Sequence, residues 1–294
     1  MGKIMIALIA LGLALGALGY ASKWSQVGLL NSVDAVLSVN APVREVASGV
    51  SFGPQPRQKL DIWAPITPSD KPRDVVVFFY GGSWNSGDRA LYGFAGRALA
   101  ERGYIVVIPD YRLVPEVRYP GFVEDGAAAV TWVQREIARF GGNPNRIHLT
   151  GHSAGAHIAA LLTLDAHWLR HSDAPANSIR SFAGLAGPYD FLPFTSDAAR
   201  AAFGQMPDPK PSQPITYARG DAAPMLLLTG SADTTVKPRN SKALAAAQTR
   251  ARAKAQAMLY EGLGHSDIVM ALARPFRDKA PVVEDMDAFF AKVR

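Results

Sequence analysis

The chain has 294 residues, 48% hydrophobic and 19% charged, the balance of a folded globular protein near the upper size for a single core. It contains no cysteine, which excludes disulfides, thiolate metal sites and a cysteine nucleophile. The formal net charge is +6, but basic residues are spread along the chain, the densest cluster being Arg250, Arg252 and Lys254, so a solvated surface is expected and no nucleic-acid partner.

Residues 1–21 read as a signal peptide or an N-terminal membrane anchor. Lys3 supplies a positive start, and Ile4–Ser22 carry no charge. Gly19-Tyr20-Ala21 has small residues where a signal peptidase would cut, after Ala21. Ile4–Leu18 is a run of 15 apolar residues, at the top of the signal-peptide range and short of the roughly 20 that span a bilayer. With Gly19–Ser22 included, and Gly12-x-x-x-Gly16 suited to helix packing, an anchor helix stays open. Either way the protein is expected to be exported, periplasmic or secreted, or held on a membrane through residues 4–22.

Residues 22–294 read as one domain. Trp24–Val39 has loose apolar spacing (Val27, Leu29, Leu30, Val33, Val36, Leu37) and predicts a helix. Arg44–Phe52 and Lys59–Trp63 predict two strands, antiparallel, joined at Gly53-Pro54-Gln55-Pro56. Asp74–Tyr80 and Tyr104–Pro109 are continuous apolar runs suited to strands buried on both faces. Between them Asp88–Arg102 has helical spacing, and Gly121–Phe140 is an amphipathic helix ended by Gly141-Gly142. Strands are expected near Ile147–Thr150, Ile179–Leu185, Pro224–Thr229 and Gln256–Tyr260. Helices are expected at Lys237–Lys254 and Val282–Val293. Strands alternating with helices imply an α/β fold: a mostly parallel sheet of about eight strands with helices on both faces. The Pro/Gly-containing stretch 187–222 reads as a variable insertion.

Arg146–Leu161 organises the rest. An apolar strand turns abruptly at Gly151-His152-Ser153-Ala154-Gly155 into an Ala- and Leu-rich helix, the description of a nucleophile elbow. Two residues without Cβ let strand and helix approach closely, and the helix start aims free N–H groups at the turn. A serine hydroxyl needs a general base, and the base needs a carboxylate to orient it. Of the six histidines, His148, His152, His157, His167 and His171 lie on the elbow strand, its helix or just beyond. His265 alone lies elsewhere, in the loop after the last strand, where the base belongs. Asp233, just past the end of Pro224–Thr229, is the expected acid; Asp190 and Asp267 are the alternatives. Acyl chemistry also needs oxyanion donors. The backbone N–H of Ala154 is one, and the loop Tyr80-Gly81-Gly82-Ser83-Trp84 is expected to supply the others.

Together these residues resemble the α/β-hydrolase superfamily over roughly Val43 to Arg294. The closer resemblance is to its esterase branch of hormone-sensitive-lipase-like and feruloyl-esterase-like carboxylesterases and kynurenine formamidases. It is carried by Tyr80-Gly81-Gly82-Ser83-Trp84 against the family's His-Gly-Gly-x-Trp, by Asp110-Tyr111-Arg112-Leu113-Val114-Pro115-Glu116, by Gly142-Asn143-Pro144-Asn145-Arg146-Ile147 and by the elbow. The resemblance implies Ser153 as nucleophile, Asp233 as acid, His265 as base, and Gly82, Ser83 and Ala154 as oxyanion donors, with no cofactor and no metal. It implies a serine carboxylesterase for small or medium acyl esters; an arylformamidase, or an inactive binding protein on the same fold, are the alternatives. The departure is Tyr80 where the family has histidine: either its hydroxyl braces the oxyanion loop, or the residue ends the strand with its ring packed in the core.

Overall fold

An eight-stranded sheet with the order β1-β2-β4-β3-β5-β6-β7-β8 forms the centre of the chain in a computed structural model that describes residues 23–170 and 178–293. The segment 1–22, on which the signal-peptide or anchor reading rests, lies outside the described residues; among those described, no helix is long and apolar enough to cross a membrane. The strands are β1 (Val43–Ser51), β2 (Lys59–Pro65), β3 (Arg73–Phe79), β4 (Ile105–Pro109), β5 (Gly142–His152), β6 (Ile179–Leu185), β7 (Met225–Gly230) and β8 (Ala255–Tyr260). β2 pairs antiparallel with both β1 and β4, and every other pairing is parallel. The continuous apolar runs became the central strands because each is covered on both faces: Asp74–Phe79 of β3 and all of β4 and β7 are buried.

The α-helices are α1 (Lys23–Leu37), α2 (Gly93–Ala100), α3 (Gly121–Glu136), α4 (Ala154–Leu164), α5 (Asp197–Phe203), α6 (Arg239–Arg250), α7 (Asp267–Met270) and α8 (Val282–Lys292). The connection β3-α2-β4 runs one way across the sheet, and β4-α3-β5 and the later connections run the other. Right-handed crossovers therefore put α2 on one face and α3, α4 and α6 on the opposite one. The expected helix Asp88–Arg102 is broken into a 3-10 turn, Arg89–Tyr92, followed by α2. The break has a local cause, since the Asp88 carboxylate accepts from Ala90 N–H and holds the chain in a tight turn before the α-helix starts. Gly141 adopts φ 81° and closes the turn after α3, a left-handed position that favours glycine.

The direction of chain travel reverses around β3, and the C-terminal ends of β3 and β5 lie side by side there, with Phe79 opposite Gly151. Loops following these two strands are thus neighbours, which is where an open α/β sheet forms its crevice. On the far side, β7 and β8 pair through Gly230 and Tyr260, so their following loops are neighbours too. Residues 187–222 lie outside the sheet and hold α5 and the 3-10 turns Lys210–Ser212 and Pro214–Tyr217.

Candidate active site

Ser153 stands between β5 and α4 with φ 52° and ψ −120°, a conformation that serine adopts only where the surroundings enforce it. The enforcement comes from close packing of backbone. A Cβ on Gly155 would lie 2.1 Å from the Phe79 carbonyl oxygen, and one on Gly151 would lie 2.7 Å from both that oxygen and the Gly155 backbone. Ser153 N–H donates to the Leu185 carbonyl at 2.9 Å, fixing the turn to β6.

His265 reaches this serine from the other side of the sheet. Its Nε2 lies 2.9 Å from Ser153 Oγ, and its Nδ1 lies 2.8 Å from Asp233 Oδ2. β5 and β8 are three strand spacings apart, about 14 Å, and the five residues 261–265 are long enough to cross back. The loop is fastened on the way: Ala232 N–H donates to the Leu263 carbonyl at 3.0 Å and Gly262 N–H to Ser231 Oγ at 2.8 Å. Asp233 has a fully buried side chain, and its second oxygen accepts from Thr235 and Val236 N–H, both at 2.9 Å. Those two bonds fix the carboxylate so that Oδ2 faces His265.

The two alternative acids are occupied elsewhere. Asp190 faces Arg239 at 3.8 Å. Asp267 accepts from Gly264 N–H and from Lys279, both at 2.8 Å, so it closes the histidine loop from below; the Lys279 bond holds its carboxyl below the ordinary value.

Gly82, Ser83 and Trp84 follow β3 with φ of 141°, 54° and 59°. Three successive positive φ values coil the segment tightly, and it lies against the serine: a Cβ on Gly81 would be 3.2 Å from Ser153 Cβ. Ala154 is the first residue of α4, whose N–H has no acceptor within its own helix. The structure therefore gathers all six expected site residues at the ends of β3, β5, β7 and β8.

The family follows from one comparison. A BD-FAE family model matches residues 60–247, well over half of the chain, including Gly82, Ser83, Ser153, Ala154 and Asp233 and ending before His265. This chain belongs to the BD-FAE family of α/β-hydrolases. Among similar proteins, a probable isoprenylcysteine alpha-carbonyl methylesterase of Oryza sativa subsp. japonica is 34% identical over 264 residues, which is 83% of this chain and 63% of that protein. Esterase LipC of Mycobacterium tuberculosis is 29% identical over 236 residues, 74% of this chain and 58% of LipC. The chain thus spans less than two thirds of either curated relative. An inhibited esterase B from Lactobacillus rhamnosis shares the fold, with TM-score 0.76 at 22% identity, covering 97% of this chain and 96% of the other.

Several residues that serve this BD-FAE site were not recognisable beforehand. His152, beside the serine, has Nε2 3.0 Å from the His265 carbonyl oxygen. Burial, with the His265 ring adding to it, pulls the His152 imidazole from 6.5 down to about 3, so it is neutral. The Nε2 hydrogen is then the donor, and it steadies the backbone that carries His265. His157, one turn into α4, accepts from the Trp84 indole N–H at 3.3 Å through Nδ1 and donates from Nε2 to the Ser212 carbonyl at 2.7 Å. Burial likewise pulls it from 6.5 to about 4. Trp84 packs edge-on to Phe203 at 4.8 Å, so the oxyanion loop, α4 and the 187–222 segment are joined around one tryptophan. Its carbonyl also accepts from Val114 N–H at 2.9 Å.

Tyr80 lies just past the end of β3 with its ring packed in the core, and its hydroxyl does not brace the oxyanion loop directly. Its hydroxyl points away from Gly81–Trp84, donating to Asp110 Oδ1 at 2.7 Å and accepting from Arg57 at 2.9 Å. The same Arg57 nitrogen donates to the Gly87 carbonyl at 2.7 Å, so the contact with the loop is indirect and reaches its far end. The ring is stacked between Tyr92 and Tyr111, at 5.4 and 4.8 Å, and Tyr111 donates to the Tyr80 carbonyl at 2.9 Å. Asp110 of the Asp-Tyr-Arg motif also accepts from Arg89, and burial pushes its carboxyl above the ordinary value. That motif is a clamp under the oxyanion loop, bonding Tyr80 and Trp84.

Proposed function

We propose that the protein is a serine carboxylesterase that hydrolyses small or medium acyl esters through an acyl-enzyme. The observation that carries this reading is the unbroken hydrogen-bonded line from Asp233 through His265 to Ser153. His265 holds its Nδ1 hydrogen toward Asp233, which leaves Nε2 free to accept the serine proton. Ser153 Oγ attacks the ester carbonyl carbon as its proton passes to Nε2, and the carbonyl electron pair moves onto oxygen. Backbone N–H groups of Gly82, Ser83 and Ala154 stabilise that oxyanion. Collapse breaks the bond to the alcohol, which leaves with the proton from Nε2. Water then repeats the sequence on the acyl-enzyme, releasing the acid and restoring Ser153. The names of the relatives, an esterase and a methylesterase, support ester over amide.

Residues 22–294 form the catalytic unit in this reading. The 187–222 insertion, through Phe191 stacked on Trp84 and Phe203 edge-on to it, shapes the acyl pocket. The uncharged stretch 4–22 either directs export or holds the enzyme on a membrane.

A series of p-nitrophenyl esters of rising acyl length, with N-formylkynurenine and a prenylcysteine methyl ester added, tests the assignment. Turnover should be highest on the shorter esters, and Ser153→Ala should lose several orders of magnitude with circular dichroism unchanged. A phosphonate inhibitor should label Ser153 in peptide mass spectrometry. Near-wild-type turnover in the alanine variant overturns the nucleophile, and preferential formamide cleavage overturns the ester substrate.

A further inference from the structure

The first helix divides its apolar residues between two sides. Its inward side sets Leu30 and Val27 against the core beside anchored polar groups: Asp34 is fully buried and accepts from Arg97 Nε and from Arg274 N–H, both at 2.7 Å. Asn31 accepts from Phe94 N–H at 2.9 Å and donates to the Ala90 carbonyl at 2.9 Å. Its outward side is apolar, with Leu29, Val33, Val36 and Leu37 exposed by 43%, 41%, 58% and 55%. Spacings of four, three and one place these on one face. Val39, just past the helix, is 78% exposed.

Single exposed apolar residues are ordinary. Here the distribution decides: of seven exposed large hydrophobics among the described residues, five lie in 29–39. A sixth, Ile66, adjoins the same turn, its N–H donating to the Pro42 carbonyl at 2.8 Å. The helix cannot rotate to bury this face, because the buried Asp34–Arg97 pair and the Asn31 bonds hold the other one inward. A clustered, fixed apolar face of this kind marks an interaction surface.

Two further observations say what covers it. The chain immediately before α1, Ile4–Ser22, is apolar and carries no charge, so the face continues a sequence suited to lipid. At the other end, one residue past the start of β1, a cleft of about 380 Å³ is lined by three cations, Arg44, Lys71 and Arg73, against one carboxylate, Asp70. Arg44 and Lys71 form no ion pair with any described residue. An apolar strip bordered by cations matches acyl chains bordered by anionic headgroups.

We propose that the outward face of α1, with its basic border at Arg44 and Lys71, is the surface by which the catalytic unit lies against an anionic phospholipid bilayer. It rests on the attachment through residues 4–22 put forward above and adds a second, interfacial contact that sets how the enzyme sits. Leu29, Val33, Val36 and Leu37 enter the headgroup boundary while the sheet stays in water.

The chain has no cysteine, so a single one can be introduced and labelled in the full-length protein. An environment-sensitive fluorophore at Val33→Cys and at Val36→Cys, with Lys242→Cys on α6 as the control, is read with vesicles of phosphatidylcholine containing some phosphatidylglycerol. Flotation of the same samples reports attachment separately. The expected result is a blue shift and quenching by nitroxide-labelled lipid at 33 and 36, with neither at 242. Quenching should be greater on anionic than on neutral vesicles, and Arg44→Glu should remove that difference. A chain that floats with its vesicles while both labels remain in water overturns this surface alone; a chain that does not float overturns the attachment as well. Labels already shielded before lipid is added overturn it in favour of protein cover, by a second copy if sedimentation shows a dimer and by residues 4–22 if it shows a monomer. Equal quenching on both vesicle types overturns the basic border.

Discussion

Two buried neutral histidines under the active site should make the enzyme lose stability in mild acid. His152 and His157 have no exposure to solvent beyond 7% and 0%, and burial pulls them from 6.5 to about 3 and about 4. In the unfolded chain each takes up a proton near its ordinary value of about 6.5, whereas the folded protein does not. Because both folded values are depressed, the stability they protect is complete above about pH 6.5 and is lost as pH falls toward about 4 and then about 3. Each unit below that point costs about 1.4 kcal/mol per histidine, so lowering pH from 7 to 5 should remove about 2 kcal/mol for each and about 4 kcal/mol for the pair. That is a large share of the stability of an ordinary domain. Urea denaturation followed by circular dichroism at both pH values gives the number, and comparison with His157→Gln removes the contribution of other groups. Glutamine can still donate to the Ser212 carbonyl but cannot titrate. The variant should start less stable at pH 7 and lose about 2 kcal/mol less than the wild type on acidification. An identical acid loss in the two proteins would refute the reasoning, because it would mean that His157 is protonated as readily folded as unfolded.

Tyr80→Phe should cost on the order of 1–2 kcal/mol in urea denaturation and change kcat by less than about twofold, since the hydroxyl it removes serves Asp110 and Arg57. A tenfold fall in kcat at unchanged stability would return the hydroxyl to the oxyanion loop. Trp84→Phe deletes the indole N–H that donates to His157, and kcat should fall about tenfold with KM changing less, because a loosened oxyanion loop is felt in the transition state; a rise in KM alone would make Trp84 a pocket residue only. Gly155→Ala should fail to fold or lose on the order of 3 kcal/mol or more, because its Cβ has backbone 2.1 Å away. Gly141→Ala meets nothing within 4 Å and should lose only about 1 kcal/mol through its positive φ, which thermal melts of the pair can compare.

Local chemistry was enough to place much of this protein. Buried strands such as Val75–Phe79 and Ile105–Pro109 are legible because a strand covered on both faces is apolar along its length. Ser153 is legible because a serine with a glycine two residues away on either side, between a strand and a helix, has few other uses. His265 is legible because it alone of the six histidines lies outside 146–171, and Asp233 because it follows a strand end, although Asp190 and Asp267 stayed open until the fold set Asp233 against His265. Tertiary structure decided what depends on partners far away in sequence. Strand order set which loops became neighbours, and that put the loop 81–84 beside Ser153, with Gly81 closest against it. The direction of the Tyr80 hydroxyl depended on Arg57 and Asp110, 23 and 30 residues away. His152 and His157 had no signal of their own, because their value lies in carbonyls of His265 and Ser212 that only the fold brings near. The spacing in Trp24–Val39 correctly predicted a helix, yet periodicity reports only that a face exists. Which face turns inward was settled by the buried pairing of Asp34 with Arg97, 63 residues on, and that contact left Leu29, Val33, Val36 and Leu37 facing out while Leu30 turned in.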